Sequence, residues 1–148
     1  MLDRLLQRLS AGPVPEETGA PADQIAIAAI LVEAARADDE YLDAERDMID
    51  RILMDRYGVD NAAATALRVD GEAAQAEATD IVRFTRVLKD AVPFEDRVSV
   101  IEAVWRVVYA DETRDADEAN LIRRLCGLLY VPDRDAGLAR QRVTGQTS

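Results

Sequence analysis

The sequence predicts an all-α fold of roughly seven helices. Strong helix formers dominate the chain, and no alternation of β-branched residues typical of a strand lasts more than a few positions. The second half of the chain also repeats the helical apolar pattern of the first half. With 148 residues, 49% of them hydrophobic and 32% charged, the chain can bury one core of ordinary size.

The chain begins with a predicted amphipathic helix followed by a tether. The helix ends before Gly12-Pro13. We therefore assign residues 1–20 to an N-terminal helix and tether, and residues 21–148 to a helical domain. Ile25 to Ala35 is apolar around much of its circumference, which is typical of a buried central helix. The first helix presents one face of leucines: Leu2, Leu5, Leu6 and Leu9.

The remaining helices are predicted from apolar spacing and end signals. A third helix closes at Tyr57-Gly58, Asp60 caps a fourth from Asn61 towards Ala78, and Gly71 should break or bend that fourth helix. Asp133 is a second predicted cap, and Tyr57 and Tyr130 should pack at helix ends. The later helices are predicted over Thr79–Ala91, Glu95–Ala110, Asp115–Tyr130 and Asp133 to about Val143.

An internal repeat relates the two halves of the domain at an offset of 118 − 45 = 73 residues. Repeat one spans about 24–67, inserted helices span about 68–92, and repeat two spans about 93–143. Since neither copy can bury its apolar face alone, the two helix-turn-helix repeats should pack about a pseudo-twofold axis. The offset carries Ile25 onto Val98, Val32 onto Trp105, Asp38 onto Asp111, Glu45 onto Glu118 and Tyr57 onto Tyr130.

Composition limits the partners and the location. A net charge of −11 disfavours nucleic acid and anionic lipid and favours cations or a basic protein partner. No signal peptide is indicated, and the longest apolar run, Ile25 to Val32, falls far below the roughly 20 residues that span a bilayer. We expect a cytoplasmic protein without a transmembrane segment. The leucine face of the first helix should pack on the core of the domain, and a groove on a partner protein or weak membrane contact are the alternatives.

Catalysis is not expected. The sequence contains no histidine, which excludes the commonest general base and the Ser-His and Cys-His nucleophile pairs. Cys126 is the single cysteine, so no intramolecular disulfide can form, and its leucine-rich surroundings predict a buried, inert thiol. Trp105, flanked by valines, is interpreted as a core residue.

Two acidic turns are the candidate sites. Asp38-Asp39-Glu40 and Asp111-Glu112 each lie between two predicted helices, and calcium, magnesium or manganese prefers such oxygen ligands. Neither turn is an EF-hand, because position twelve is Ile49 in one and Ile122 in the other. The alternative is that these acids only cap helices and keep the protein soluble; Asp115 and Glu118, three apart, have the spacing of a capping box.

The segment from Ala37 to Glu45, with the sequence ADDEYLDAE, resembles the Ala-Asp-Gly-x-hydrophobic-x-x-x-Glu signature of the tellurite-resistance TerB-like family, and Ala110 to Glu118 is similar. The family glycine is Asp39 in one copy and Glu112 in the other. The resemblance implies a TerB-like helical bundle, a stress-response setting and metal-ion sites at the acidic turns. It carries the metal role to the matching residues Asp38, Glu45, Asp111 and Glu118, and the neighbouring acids Asp39, Glu40 and Glu112 complete the candidate set.

These observations predict a non-catalytic TerB-like module that binds a divalent cation (calcium, magnesium or manganese) or a partner protein in a stress response. The alternative is an interaction scaffold without a metal site.

Overall fold

The computed structural model describes residues 20–37, 40–78, 80–111 and 116–145, with backbone only for residue 111 and residues 116–118. Within these ranges the chain forms seven α-helices and one short 3-10 helix, which confirms the all-α prediction. The predicted leucine helix lies outside the described residues. The helices are α1 (Ala22–Arg36), α2 (Asp43–Tyr57), α3 (Asn61–Glu77), α4 (Val82–Ala91), α5 (Phe94–Val108), the 3-10 helix Tyr109–Asp111, α6 (Ala116–Leu128) and α7 (Asp133–Thr144).

Helix α1 is the centre of the bundle. It is buried almost without interruption from Ile25 to Ala35, broken only by the partly exposed Glu33. Helices α2, α3, α4, α5 and α6 all contact it. A helix that is apolar around most of its circumference must be covered on every side, so its sequence sets its central place.

Gly71 allows α3 to lie unusually close to α1, and the prediction that it breaks its helix is wrong. It lies buried inside α3, which continues unbroken to Glu77. A Cβ at this position would lie 2.6 Å from the Cβ of Ala28 and 2.9 Å from the amide nitrogen of Ala29. Among the described helices, α1 and α3 share the most extensive contact. Glycine therefore fills a packing role that outweighs its low helix propensity.

The ends of α2 and α3 follow the predicted signals. Gly58 ends α2 in the left-handed conformation, with φ 61°, as expected for a glycine at this position. Asp60 then caps α3, because its Oδ1 accepts a hydrogen bond of 2.9 Å from the amide of Ala63. Tyr57 packs partly buried against the core, as predicted.

The corresponding ends in the second half differ from the prediction. Helix α7 has Pro132 as its N-cap, and Asp133 is the first residue of the helix, so Asp133 is not a cap. Proline fixes φ at about −65°, which suits this N-cap with φ −64° and ψ 155°, and the acid follows it as the first residue of the helix. Tyr130 does not pack: 67% of it is exposed, and its φ is 58°.

Trp105 and Cys126, which the sequence predicts to be buried, both lie in the core of the second half. Trp105 is buried on α5 and stacks on Tyr109, with ring centroids 5.6 Å apart. Cys126 is buried on α6, and burial raises the pKa of its thiol to about 11. A thiol that stays protonated is a poor nucleophile, in agreement with the predicted inert state.

The helix bounds follow the 73-residue offset. Shifting α1 by 73 residues gives 95–109, and α5 spans residues 94–108; shifting α2 gives 116–130, and α6 spans 116–128. The internal repeat and its pseudo-twofold axis stay predictions.

Candidate functional site: the first acidic turn

The predicted metal-site residues divide into described and undescribed groups. Glu40 is exposed just before Tyr41, whereas Glu45 is completely buried in the first turn of α2. The backbones of Asp111 and Glu118 lie in the 3-10 helix and in α6, but their side chains are outside the described residues. Asp38, Asp39 and Glu112 lie outside the described residues altogether.

Glu45 stabilises the start of α2. Its Oε1 accepts a hydrogen bond of 2.9 Å from the amide of Leu42, the residue that precedes the helix. This is one half of a capping box, because leucine has no side-chain acceptor to complete the other half. The sequence indicated a capping box only at Asp115 and Glu118, in the second turn. Glu45 thus has a structural role at a position where the sequence predicts a metal ligand.

Tyr41 ties the turn to α3. Its hydroxyl donates a hydrogen bond of 2.6 Å to Oε2 of Glu72. Two guanidinium groups approach its ring: the Cζ of Arg36 lies 4.9 Å and the Cζ of Arg46 lies 4.3 Å from the centroid. These cation–π contacts place positive charge directly beside an acidic segment. The turn is therefore held from α3 and partly neutralised by its flanking helices.

Arg68 connects this contact to α2. Its Nη1 lies 2.7 Å from Oε2 of Glu72, and its Nε lies 2.6 Å from Oδ1 of Asp50, a buried aspartate on α2. Thr65 donates a further bond of 3.0 Å to the other oxygen of Asp50. We call these five residues the Arg68 clasp: Tyr41, Asp50, Thr65, Arg68 and Glu72.

The charges of the clasp stabilise one another. Burial raises the pKa of Tyr41 to about 12, and its hydrogen bond to Glu72 adds to the increase. Burial alone would raise the pKa of Glu72, but the hydrogen bonds from Tyr41 and Arg68 outweigh it and lower the pKa. Burial alone would also lower the pKa of Arg68, whereas Asp50 and Glu72 raise it. The clasp is therefore an ionised arginine between two carboxylates, with a neutral tyrosine.

A second link joins α3 to the end of α1. Gln75 donates from Nε2 to Oε1 of Glu33 at 2.8 Å, and Arg36 donates to the side-chain oxygen of Gln75. Together with the clasp, this link fixes both flanks of the first acidic turn to α3. The helices on either side of the turn cannot separate without breaking charge-assisted hydrogen bonds.

The described residues of the second half do not repeat the clasp. At the 73-residue offset, Arg36 corresponds to Tyr109 and Asp50 to Arg123. In place of the charged network, Arg140 on α7 donates a 2.8 Å hydrogen bond to the hydroxyl of Tyr109, and its Cζ lies 5.1 Å from the ring centroid of Trp105. An aromatic and arginine cluster thus replaces the ion pairs. The described flanks of the two acidic turns therefore differ.

Sequence reasoning missed the clasp. Two signals were available. Asp50 falls among the apolar positions Ile49, Ile52 and Leu53 of α2, and an acid in such a row needs a partner. Arg68 and Glu72 also have the i,i+4 spacing of a helical ion pair. Nothing in the sequence joins these two signals, because the pairing requires α3 to lie across α2.

The described residues contain no group of three or more aspartate, glutamate, cysteine or histidine residues arranged to hold a metal ion. A cleft of about 350 Å³ lies at the opposite end of α1 and α2 from the acidic turn, lined by Asp23, Arg56, Tyr57 and Ser99 among others. Arg56 there donates a 2.9 Å hydrogen bond to the hydroxyl of Ser99.

The fold and the site define a class of protein: an all-helical domain in which an acidic turn between two helices is clasped to a third. None of the described helices is both long and apolar enough to cross a membrane. A family described as Tellurite resistance protein TerB matches residues 24–141. The chain therefore belongs to the TerB family. Comparisons with curated proteins and with solved structures found no match.

Proposed function

We propose that this TerB-family domain is a non-catalytic binding module whose first acidic turn binds a divalent cation, in a cytoplasmic response to tellurite or a related stress. The observation that carries the proposal is the complete burial of Glu45 in the first turn of α2, a few residues after the acidic run Asp38, Asp39 and Glu40 in the sequence. A buried carboxylate costs desolvation free energy, which a cation or strong donors must offset. Calcium, magnesium and manganese are the ions that carboxylate oxygens suit.

The clasp supports the first turn as the functional copy. It fixes Tyr41, which lies between Glu40 and the start of α2, so the backbone of the turn has a firm anchor on α3. Anchored ligands lose less conformational entropy when an ion binds. The equivalent position in the second turn is Arg114, whose positive charge opposes a cation.

The second candidate function is an interaction scaffold without a metal. It is favoured by the role of Glu45 as a helix cap, since the bond to Leu42 already gives the carboxylate a structural reason to be there. In this case the acidic turn would serve solubility or contact a basic partner protein.

Thermal unfolding distinguishes the two candidates. Under the cation proposal, millimolar calcium, magnesium or manganese raises the melting temperature, by about 3–6 °C at ten times the dissociation constant. Sodium chloride at matched ionic strength gives the reference. Equal melting temperatures in all salts would leave the scaffold as the function.

Two variants locate the effect. Glu45→Gln keeps an oxygen that accepts from the amide of Leu42 but removes the charge, so it should retain most of the stability without cation and lose the cation-dependent increase. Asp38→Asn should act in the same way. Asp43→Asn is the matched control, because the Asp43 side chain is 92% exposed in the same helix turn. A cation effect that survives both Glu45→Gln and Asp38→Asn would place the ion elsewhere.

A further inference from the structure

An apolar groove lies where the start of α1, the end of α3 and α4 meet. Arg83 lies at its edge, with its Cζ 5.9 Å from the ring centroid of Phe84. Val87 and Ala74 are only partly buried, as are the neighbouring Ala20 and Ala78. Among the described residues, the partly buried Ala22, Ala74 and Val87 thus leave apolar surface open above a floor of the buried Ile25, Ala26 and Phe84. The apolar lining consists of Ala22, Ile25, Ala26, Ala74, Phe84 and Val87.

The groove lies where the N-terminal segment joins the domain. Ala22, the first residue of α1, is part of the lining, and residues 1–19 precede the described chain. The leucines of residues 2–9 need an apolar surface, because each buried leucine side chain contributes to stability through the hydrophobic effect. Ten residues of tether, 10–19, can extend at most about 36 Å, which is ample for the leucine segment to return to the groove.

We propose that residues 2–9 dock with their leucine face in this groove of the same chain. The covalent connection favours this occupant over any free partner, because joining two segments by a short linker gives them an effective concentration of about a millimolar or more. The sequence also offers Asp3 as a partner for Arg83 at the edge of the groove. Anionic lipid is disfavoured as the occupant by the net charge of −11. The proposal is independent of cation binding at the acidic turn.

Paramagnetic broadening in the full-length chain tests the docking. A spin label is attached at Ser10→Cys in a Cys126→Ala background, which leaves all four leucines in place. Docking predicts a loss of the amide signals of Ala74 and Val87, two groove residues distant in sequence from the tether. The amide of Leu138 on α7 serves as the reference, since α7 is not among the groove-forming helices. Retained signals at Ala74 and Val87 would overturn the proposal.

Matched substitutions test whether the leucine face is responsible. Leu5→Asp should restore the signals of Ala74 and Val87, because a charged side chain opposes burial. Val14→Asp makes the same change within the tether and should leave the broadening intact. Both positions lie outside the described residues, so neither substitution replaces a residue of the described core. Broadening that persists in Leu5→Asp would contradict docking through the leucines.

A mixed sample separates docking within one chain from exchange between two chains. Chain that carries the spin label and has natural isotope abundance is mixed with isotope-enriched chain that carries no spin label. Docking within one chain predicts no broadening in this sample. A loss of the Ala74 and Val87 signals there would show that a second copy occupies the groove, and it would overturn the proposal in favour of an exchanged dimer.

Discussion

Gly71 shows how a tertiary contact can decide the role of a glycine. The sequence predicted a break or bend of the helix at this residue, whereas the helix continues through it. Glycine lowers helix propensity, so a break was the expectation from local sequence. The position is set by a tertiary contact, since the backbone of α1 at Ala28 occupies the space of a Cβ. Only the crossing of two helices distant in sequence reveals this, and no local pattern contains it.

Gly71→Ala should destabilise the domain. The added Cβ would lie 2.6 Å from that of Ala28 and 2.8 Å from its carbonyl carbon, so two helix backbones must move apart. We expect a loss of about 1–3 kcal/mol in the free energy of unfolding, measured by chemical denaturation. Gly127→Ala is the control: Gly127 is exposed in α6 with no atom within 4 Å of the added Cβ, and it should gain about 0.5–1 kcal/mol. Equal effects of the two substitutions would contradict the close packing of α1 and α3.

Tyr130 shows a different limit of sequence reasoning. The 73-residue offset pairs it with Tyr57, and the same helix-end packing was expected of both. The chain enters the left-handed conformation one residue earlier at the end of α6 than at the end of α2, at Tyr130 and not at the counterpart of Gly58. This shift turns the ring outward, where Nζ of Lys89 lies 4.7 Å from its centroid. A single backbone angle thus decides between burial and exposure.

At the scale of the helices, the sequence predicted where most helices end but not always which residue caps them. Tyr57-Gly58 and the stop before Pro93 were predicted correctly, because glycine and proline act through their own backbone restrictions. The caps were harder, because an acid can occupy the N-cap or the first turn with little change in the sequence pattern. Asp60 occupies the N-cap of α3, whereas Asp133 lies one position further on, as the first residue of α7.

That difference predicts unequal effects of two similar substitutions. Asp60→Ala removes the acceptor of the Ala63 amide and should cost about 1 kcal/mol. Asp133→Ala removes only a favourable charge near the helix start, worth about 0.3 kcal/mol at an exposed site. Urea denaturation of the two variants measures both values. A loss for Asp133→Ala as large as that for Asp60→Ala would mean that Asp133 does cap α7.

At the scale of the whole molecule, the sequence predicted the order of the helices and the acidic turns, while the clasp emerged only from the packing of α2 and α3. The residues of the family signature are contiguous, so they can be recognised in the sequence. Asp50, Arg68 and Tyr41 come from three separate elements, and their meeting depends on how α3 crosses α2. Site residues that are close in sequence are therefore predictable here, and those joined by packing are not.

The clasp predicts a loss of stability in alkali. The folded-state pKa of Tyr41 is raised to about 12, above its ordinary value of 10.0, so its contribution is complete below about pH 10 and is lost as the pH rises through about 12. Tyr41→Phe should therefore show a shallower fall in unfolding free energy between pH 9 and about pH 12 than the unmodified chain. Burial also raises the pKa of Tyr57, which accounts for a remaining slope.

Tyr130→Phe is the matched control for that experiment, since Tyr130 is exposed and lies outside the clasp. It should leave the alkaline slope unchanged. Identical slopes for Tyr41→Phe and the unmodified chain would show that the hydroxyl of Tyr41 does not stay buried against Glu72.

The absence of a Cβ at Gly71 also affects the surface of the domain beside the acidic turn. Glu72, the next residue, receives the hydroxyl of Tyr41, and Arg68 lies less than one turn before Gly71. The depth at which α3 sits on α1 therefore sets where these side chains meet the acidic turn. A substitution at the buried Gly71 that moves α3 away from α1 would therefore also displace Tyr41 beside the acidic turn at the surface.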